Sequence, residues 1–354
     1  MFEIMEPIQI HPNGITVHIE KAPSTITATT NVAAKPIPAA AGTARLARCS
    51  MRSGYAAATP DVSDPDRPDR DGVIVTTVAV SDSDGYTRPA VVGSGAIGCA
   101  LAACATAVGE VRLLARSDVS AWRAEEQAQA DCSKVEGGAS NRLRVTTDPA
   151  DLSDADLVVE AVIEDLDAKA TLIRELGEFS PEADLASTTS SLPVAELATR
   201  SGHDDRVFGF HVFNPVQQME LVELCLPDRL REGVGERARE WAAALGKTVI
   251  EVPDQPGFVV NRLLFPYLFD AVRLLERTGM EASDIDSCMQ LGARYPMGPL
   301  RLLDFIGLDV AASIGESLFS DTEEDRYRAP GLIEELIGDG KLGRKSKAGF
   351  YDYN

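Results

Sequence analysis

Ala90-Val91-Val92-Gly93-Ser94-Gly95-Ala96-Ile97-Gly98 decides how the chain is read. A short apolar run passes directly into GxGxxG and then into a helical stretch of small residues, Ile97–Ala107. Each glycine has a physical task. Gly93 permits the tight turn, Gly95 lets a pyrophosphate approach the backbone, and Gly98 lets the helix pack close to the sheet. The first helical amides, at Ala96 and Ile97, then face the phosphates. A glycine-rich turn without a ligand is the alternative, and the strand–turn–helix setting favours the dinucleotide.

The next strand, Val111–Ala115, runs into Arg116-Ser117. A carboxylate usually stands here to accept the ribose hydroxyls of NAD. Arg116 would instead clamp the 2′-phosphate of NADP, with the Ser117 hydroxyl adding a hydrogen bond. The spacing therefore points to NADP over NAD. An exposed arginine at a helix start, with the carboxylate supplied from elsewhere, is the other reading.

Outward from this unit, apolar runs alternate with helical stretches. The strands are Leu143–Thr146, Leu157–Val162, Leu185–Thr188, Val207–Phe213, Leu221–Cys225 and Thr248–Val252. The helices between them are Val119–Cys132, Asp167–Gly177, Val194–Thr199 and Arg231–Leu245. Such repetition predicts an α/β doubly wound parallel sheet. After Asp254-Gln255-Pro256-Gly257 the strands stop and residues 258–340 read as amphipathic helices. The expected organisation is a dinucleotide-binding domain over 87–254 and an all-α domain over 255–354. Residues 1–86 read as a disordered extension, or as a start assigned too early. They are rich in Pro, Ala, Thr and Ser, and Lys21 to Pro60 has no acidic residue. A targeting peptide fits less well, because Glu3, Glu6 and Glu20 interrupt it. Val73–Val80 is the one strand-like run there.

The 354 residues carry a net charge of −21, which disfavours nucleic acid and anionic membrane surfaces as partners. No apolar run approaches the length of a membrane span. Six cysteines without a CxxC pair, and only four histidines, suggest a reducing cytoplasm and no metal site.

His211 lies in one apolar run and Glu223 in another, with Asn214-Pro215 as a turn signal between them. If the runs fold back about Gln217, residues 211 and 223 fall opposite each other. A carboxylate there would fix the imidazole tautomer and raise its basicity, suiting it to take a proton from an alcohol as hydride leaves. A core histidine satisfied by backbone is the plainer alternative. His203 sits in a polar loop. Ser190 and Ser191 follow a strand at its carboxyl end, where α/β sheets bind ligands. No GxSxG surrounds either serine, which disfavours a serine hydrolase.

Together, several segments resemble the L-3-hydroxyacyl-CoA dehydrogenases: the GxGxxG turn, Val159–Glu164, Thr189–Leu192, Gly209–Pro215, Pro256–Arg262, Pro296–Leu300, Leu342–Ser346 and Gly349–Tyr351. The resemblance covers roughly residues 88–354. It implies a Rossmann domain, then a helical domain forming a homodimer interface, and reversible hydride transfer between the C3 alcohol of an acyl thioester and nicotinamide. It also implies roles: His211 as base, Glu223 as its partner, and Ser190 and Asn261 holding the substrate's oxygens. Asn214 would lie beside the nicotinamide, with Glu164, Lys169 and Lys345 contacting the cofactor. Three features depart from the family pattern. Arg116 replaces an aspartate, Thr188 replaces an asparagine, and the stretch from Arg116 to Asp156 is short, with Lys134 its only lysine. A weak coenzyme A clasp leaves a second substrate open, a glyceryl group on an acyl carrier protein in polyketide extender-unit assembly. A non-catalytic, crystallin-like cofactor binder is the rival of another class, and the complete set Ser190, His211, Glu223 and Asn261 argues against it.

Overall fold

The computed structural model describes residues 85–353, and before them three strands, β1 (Ile8–Ile10), β2 (Ile15–Ala22) and β3 (Thr25–Asn31). Those three form an antiparallel sheet in the order β1-β2-β3 within the extension expected to lack regular structure. They are rich in Ile, Val and Thr, which suit a pleated backbone. The strand expected at Val73–Val80 lies outside the described residues.

From Pro89 the chain builds an eight-stranded sheet. Its strands are β4 (Pro89–Val92), β5 (Val111–Leu114), β6 (Leu143–Thr146), β7 (Leu157–Glu160), β8 (Asp184–Ser187), β9 (Val207–Val212), β10 (Leu221–Cys225) and β11 (Thr248–Glu251). The spatial order is β11-β10-β9-β8-β7-β4-β5-β6. β4 to β9 run parallel, and β10 turns back antiparallel on β9. The chain leaves β4 towards β5 and β6, then returns to β7 on the other flank of β4. That reversal opens a crevice at the carboxyl ends of β4 and β7.

The period of two sorts the strand residues onto two faces. Val91, Leu113, Val159 and Phe210 pack with helix α1 (Ala96–Ala105), α2 (Asp118–Cys132) and Trp241 of α5 (Val234–Ala244). Ala90, Val92, Val158 and Leu185 pack on the other face, under α3 (Leu166–Phe179) and α4 (Val194–Ser201). Because both faces are covered, β4, β7, β8 and β9 are buried along their whole length.

After β11 the elements are helical: α6 (Val260–Thr278), α7 (Ala282–Ala293), α8 (Pro299–Ile306), α9 (Leu308–Thr322) and α10 (Gly331–Gly338). Phe265, Leu268, Phe269 and Val272 form the buried stripe of α6, against Leu300, Leu303, Leu308 and Leu318. The C-terminal segment folds back onto α8 through buried Asp304, which accepts bonds from the Phe350 and Tyr351 amides at 2.9 Å and the Tyr353 hydroxyl at 3.0 Å. A side chain at Gly349 would meet Asp304 Oδ1 at 2.0 Å, so glycine is required there.

The core reaches one residue further back than position 87. Tyr86 is buried, sits edge-on to Trp241, and donates to Asp184 Oδ2 at 2.7 Å. Asp184 is itself 1% exposed and also holds Arg231 at 2.7 Å and Arg237 at 2.5 Å. Removing one member of a buried ionic group strands the others. Asp184→Ala is expected to cost about 3–5 kcal/mol of unfolding free energy, and Tyr86→Phe about 1 kcal/mol. Urea denaturation of both variants checks this, and equal midpoints for Asp184→Ala and wild type would refute it.

Candidate active site

The glycine turn joins β4 to α1 at the crevice. Gly93 adopts φ +130°, and a side chain there would meet the Ala161 carbonyl oxygen at 2.3 Å. A side chain at Gly98 would meet the Gly93 carbonyl oxygen at 2.0 Å, so the first and third glycines are fixed by backbone packing. Gly95 differs: a side chain there would meet nothing within 4 Å. It is the residue before α1, and no side chain caps that helix. The amides of Ala96 and Ile97 thus border open space with a partial positive charge, which fits a pyrophosphate.

Arg116 follows β5 and is exposed, with no partner among the described residues. Ser117 is committed locally. Its hydroxyl accepts from the Ser120 amide at 3.3 Å, and its own amide donates to Ser120 Oγ at 3.0 Å, capping α2.

Beneath the turn lies a polar knot that the sequence did not announce. Glu160, at the end of β7, is 1% exposed. It accepts from the Val162 amide at 2.7 Å, Ser187 Oγ at 2.6 Å and Lys169 Nζ at 2.7 Å. Lys169, also 1% exposed, reaches the Val162 carbonyl at 3.4 Å and Glu164 at 3.3 Å. Lys169 is thus a buried ammonium held between Glu160 and Glu164 at the edge of the crevice. Glu164 lies on the crevice side and gathers the Thr189–Ser191 loop. It accepts from Thr189 Oγ1 at 2.7 Å, the Ser190 amide at 2.8 Å and the Ser191 amide at 2.9 Å. Burial pushes its carboxyl up, but Lys169 and these hydrogen bonds outweigh burial and hold it below the usual carboxylate range.

His211 and Glu223 are paired residues of the β9–β10 hairpin, the register expected from a fold-back about Gln217. His211 Nδ1 lies 2.7 Å from Glu223 Oε2, with both side chains buried. The other oxygen, Oε1, accepts from the Val259 amide at 3.0 Å and the Val260 amide at 2.9 Å, at the start of α6. An ionised carboxylate is an acceptor only, so in a neutral imidazole paired with it Nδ1 would donate and Nε2 would be left as the acceptor. The rings of Phe213 and Phe258 flank the imidazole at 4.5 and 5.5 Å. Asn261 is buried in the first turn of α6, two residues beyond Val259, and Asn214 is exposed just past β9.

Lys345, another expected cofactor residue, pairs with an aspartate of the helical part. Its ammonium pairs with Asp309 at 2.5 Å and makes no polar contact with the glycine turn, Glu164 or His211. Glu160 and Ser187 escaped sequence reasoning. The available signal was a glutamate ending an otherwise apolar strand, nine residues before a lysine.

Residues 89–255 match the family model for the 3-hydroxyacyl-CoA dehydrogenase NAD-binding domain, and residues 257–353 match that for the C-terminal domain. The chain belongs to the 3-hydroxyacyl-CoA dehydrogenase family. A 3-hydroxybutyryl-CoA dehydrogenase of Mycobacterium tuberculosis is 38% identical over 285 residues, 77% of this chain and 100% of its own. The crystal structure of M. tuberculosis FadB2 superposes with TM-score 0.73 at 37% identity, over 77% of this chain and 100% of that one. (S)-3-Hydroxybutyryl-CoA dehydrogenase PaaH1 of Ralstonia eutropha gives 0.71 at 31%, over 76% and 100%. As a member of the family, the chain is a nicotinamide-dinucleotide oxidoreductase acting on a CH–OH group. Among the described residues no helix is long and apolar enough to cross a membrane, and the five described cysteines are free thiols.

Glu164 gives the site a pH signature. A carboxyl whose folded value is depressed contributes stability that is complete above its unfolded value, near 4.5, and is lost as the pH falls through the lower folded value. Glu164→Gln should therefore flatten the fall in stability on acidification below about 4.5. Parallel acid-unfolding curves for variant and wild type would refute this.

Proposed function

We propose that the chain transfers hydride reversibly between the C3 hydroxyl of a 3-hydroxyacyl thioester, such as 3-hydroxybutyryl-CoA, and a nicotinamide, with His211 and Glu223 as an acid/base dyad. The observation that carries this reading is the 2.7 Å bond between His211 and a carboxylate whose other oxygen is held by two amides of α6. When bound, the dinucleotide supplies the hydride chemistry. Nε2 of His211 takes the hydroxyl proton in oxidation and returns it in reduction. Glu223 fixes the tautomer and stabilises the imidazolium. Ser190 and Asn261 orient the substrate's oxygens, and Asn214 stands beside the nicotinamide. Gly93, Gly95, Ala96, Ile97 and Gly98 cradle the pyrophosphate, while Glu164 holds the Ser190 loop. The division falls between a dinucleotide half ending at Asp254 and a helical half after it. Leu263 of α6 and Leu291 of α7, 72% and 84% exposed, are surfaces that a second copy of the chain would cover.

His211→Ala is expected to lower the rate of acetoacetyl-CoA reduction by about 100- to 10,000-fold, with cofactor affinity retained. Glu223→Gln, which keeps the shape and loses the charge, is expected to fall between that variant and wild type. Steady-state loss of reduced-nicotinamide absorbance reads both, and an unchanged rate in His211→Ala sinks the dyad.

The cofactor reading is NADP, supported by the unpartnered Arg116. Arg116→Asp should weaken NADPH relative to NADH by at least about tenfold, the scale of a charge-assisted bond. Fluorescence titration with both cofactors decides it, and an unmoved ratio counts against the arginine.

One observation favours the carrier-protein substrate as a second reading. Lys134, the only lysine available to clasp coenzyme A between Arg116 and Asp156, is tied to Asp131 at 2.8 Å. Turnover of a glyceryl carrier protein with none of acetoacetyl-CoA, in protein that binds the cofactor, would establish it.

A further inference from the structure

At the amino ends of β4, β5 and β6, opposite the crevice, lies a cavity of about 380 Å³ with Arg88, Arg112, Arg142 and Arg144 in its wall. Four guanidiniums in one cavity stand out in a chain of net charge −21. Their placement is built into the sheet. Arg112 and Arg144 are paired residues of the parallel β5–β6 ladder, so two like charges stand side by side on one face. That arrangement is unfavourable unless anions offset it. Arg88 immediately precedes β4, and Arg142 immediately precedes β6.

Backbone carbonyls and two aspartates hold the four side chains in position. Arg142 Nη1 donates to the Thr106 and Ala107 carbonyls at 3.1 and 3.3 Å, at the carboxyl end of α1. Arg88 Nε donates to the Asp154 carbonyl at 2.6 Å. Arg112 is the most buried and is committed to the Asp151 carbonyl and the Asp154 carboxylate. Arg144 Nη2 meets Asp151 Oδ1 at 3.0 Å. Each of Arg88, Arg142 and Arg144 therefore uses one nitrogen, and its remaining N–H groups have no partner among the described residues. The carboxylates of Glu110 and Asp154 also line the cavity and Asp151 pairs with Arg144, so three acidic groups stand against four guanidiniums. Pre-oriented guanidinium forks with spare donors match the oxygens of a phosphate group.

We propose that this cavity is a second anion site, distinct from the glycine turn, that takes a small phosphate-bearing metabolite. A volume near the lower end of ligand pockets suits a compact phosphorylated molecule. The test titrates pyrophosphate into the full chain by calorimetry at fixed ionic strength, with saturating NADPH present so that the glycine turn and Arg116 are both occupied. Saturable binding is expected. Arg144→Gln, an exposed position that tolerates substitution, should weaken it by about tenfold, the scale of one charge-assisted contact. Glu110→Gln, which removes the opposing charge, should tighten it severalfold. Absence of saturable binding in the wild type, or binding left unchanged by Arg144→Gln, overturns the proposal.

Discussion

The carboxylate of Glu223 is the constraint on which the rest of the site depends. One oxygen holds His211 across the β9–β10 hairpin, and the other holds the first amides of α6. A single buried charge thus fixes an imidazole on the sheet and the entry of the helical half at once. The helix end supplies a positive partial charge beside the buried carboxyl group. Since Asn261 lies in the same first turn of α6, its distance from His211 follows from the bonds that set the helix. A loss at position 223 would therefore disturb the placement of His211 and Asn261 together.

The same device recurs elsewhere, and one exception to it is informative. Asp254 caps α4 through the Val194 and Ala195 amides at 2.8 and 2.7 Å. Asp286 caps α8 through Leu300 and Arg301 at 2.8 and 3.0 Å, and Glu276 meets the Leu332 amide of α10 at 2.8 Å. Local residues cap α2 and α3. The helix that opens the crevice, α1, has no such acceptor, and the residue before it is a glycine facing open space. α5, α7 and α9 likewise begin without a side-chain acceptor, but only α1 begins at the glycine turn over the crevice, where donors left unmet match a phosphate ligand.

Much of this was legible in the sequence because it depends on period and spacing. β6 and β10 fall where the apolar runs place them, and most other sheet strands within a residue or two. The meeting of His211 with Glu223 follows from a symmetrical fold-back, since hairpin register is arithmetic. The knot of Glu160, Lys169, Glu164 and Ser187 was not legible. Its members come from β7, the turn after it, α3 and β8, and only the parallel pairing of β7 with β8 brings Ser187 to Glu160. Lys169 shows the limit most plainly: its place on the chain does not reveal that its ammonium meets the buried Glu160 at 2.7 Å. Tyr86 was missed for a related reason: its partner Asp184 is 98 residues away.

The two ends of the sheet distribute charge differently, and this bears on what each can do. At the carboxyl ends, the buried Glu160 and Lys169 are satisfied by one another and by backbone, and Lys169 also meets the partly exposed Glu164. Such a knot is rigid, because moving any member strands a buried charge. Rigidity there preserves the distance between the glycine turn and the Thr189–Ser191 loop that Glu164 gathers. At the amino ends one acidic group, Asp184, is closed by Arg231, Arg237 and Tyr86. The arginines around β4 to β6 are closed on one side only and keep donors to spare. β4 connects the two ends directly, with Arg88 before its first residue and Gly93 after its last. An anion drawn to the arginines would thus act on the strand that carries the cofactor turn.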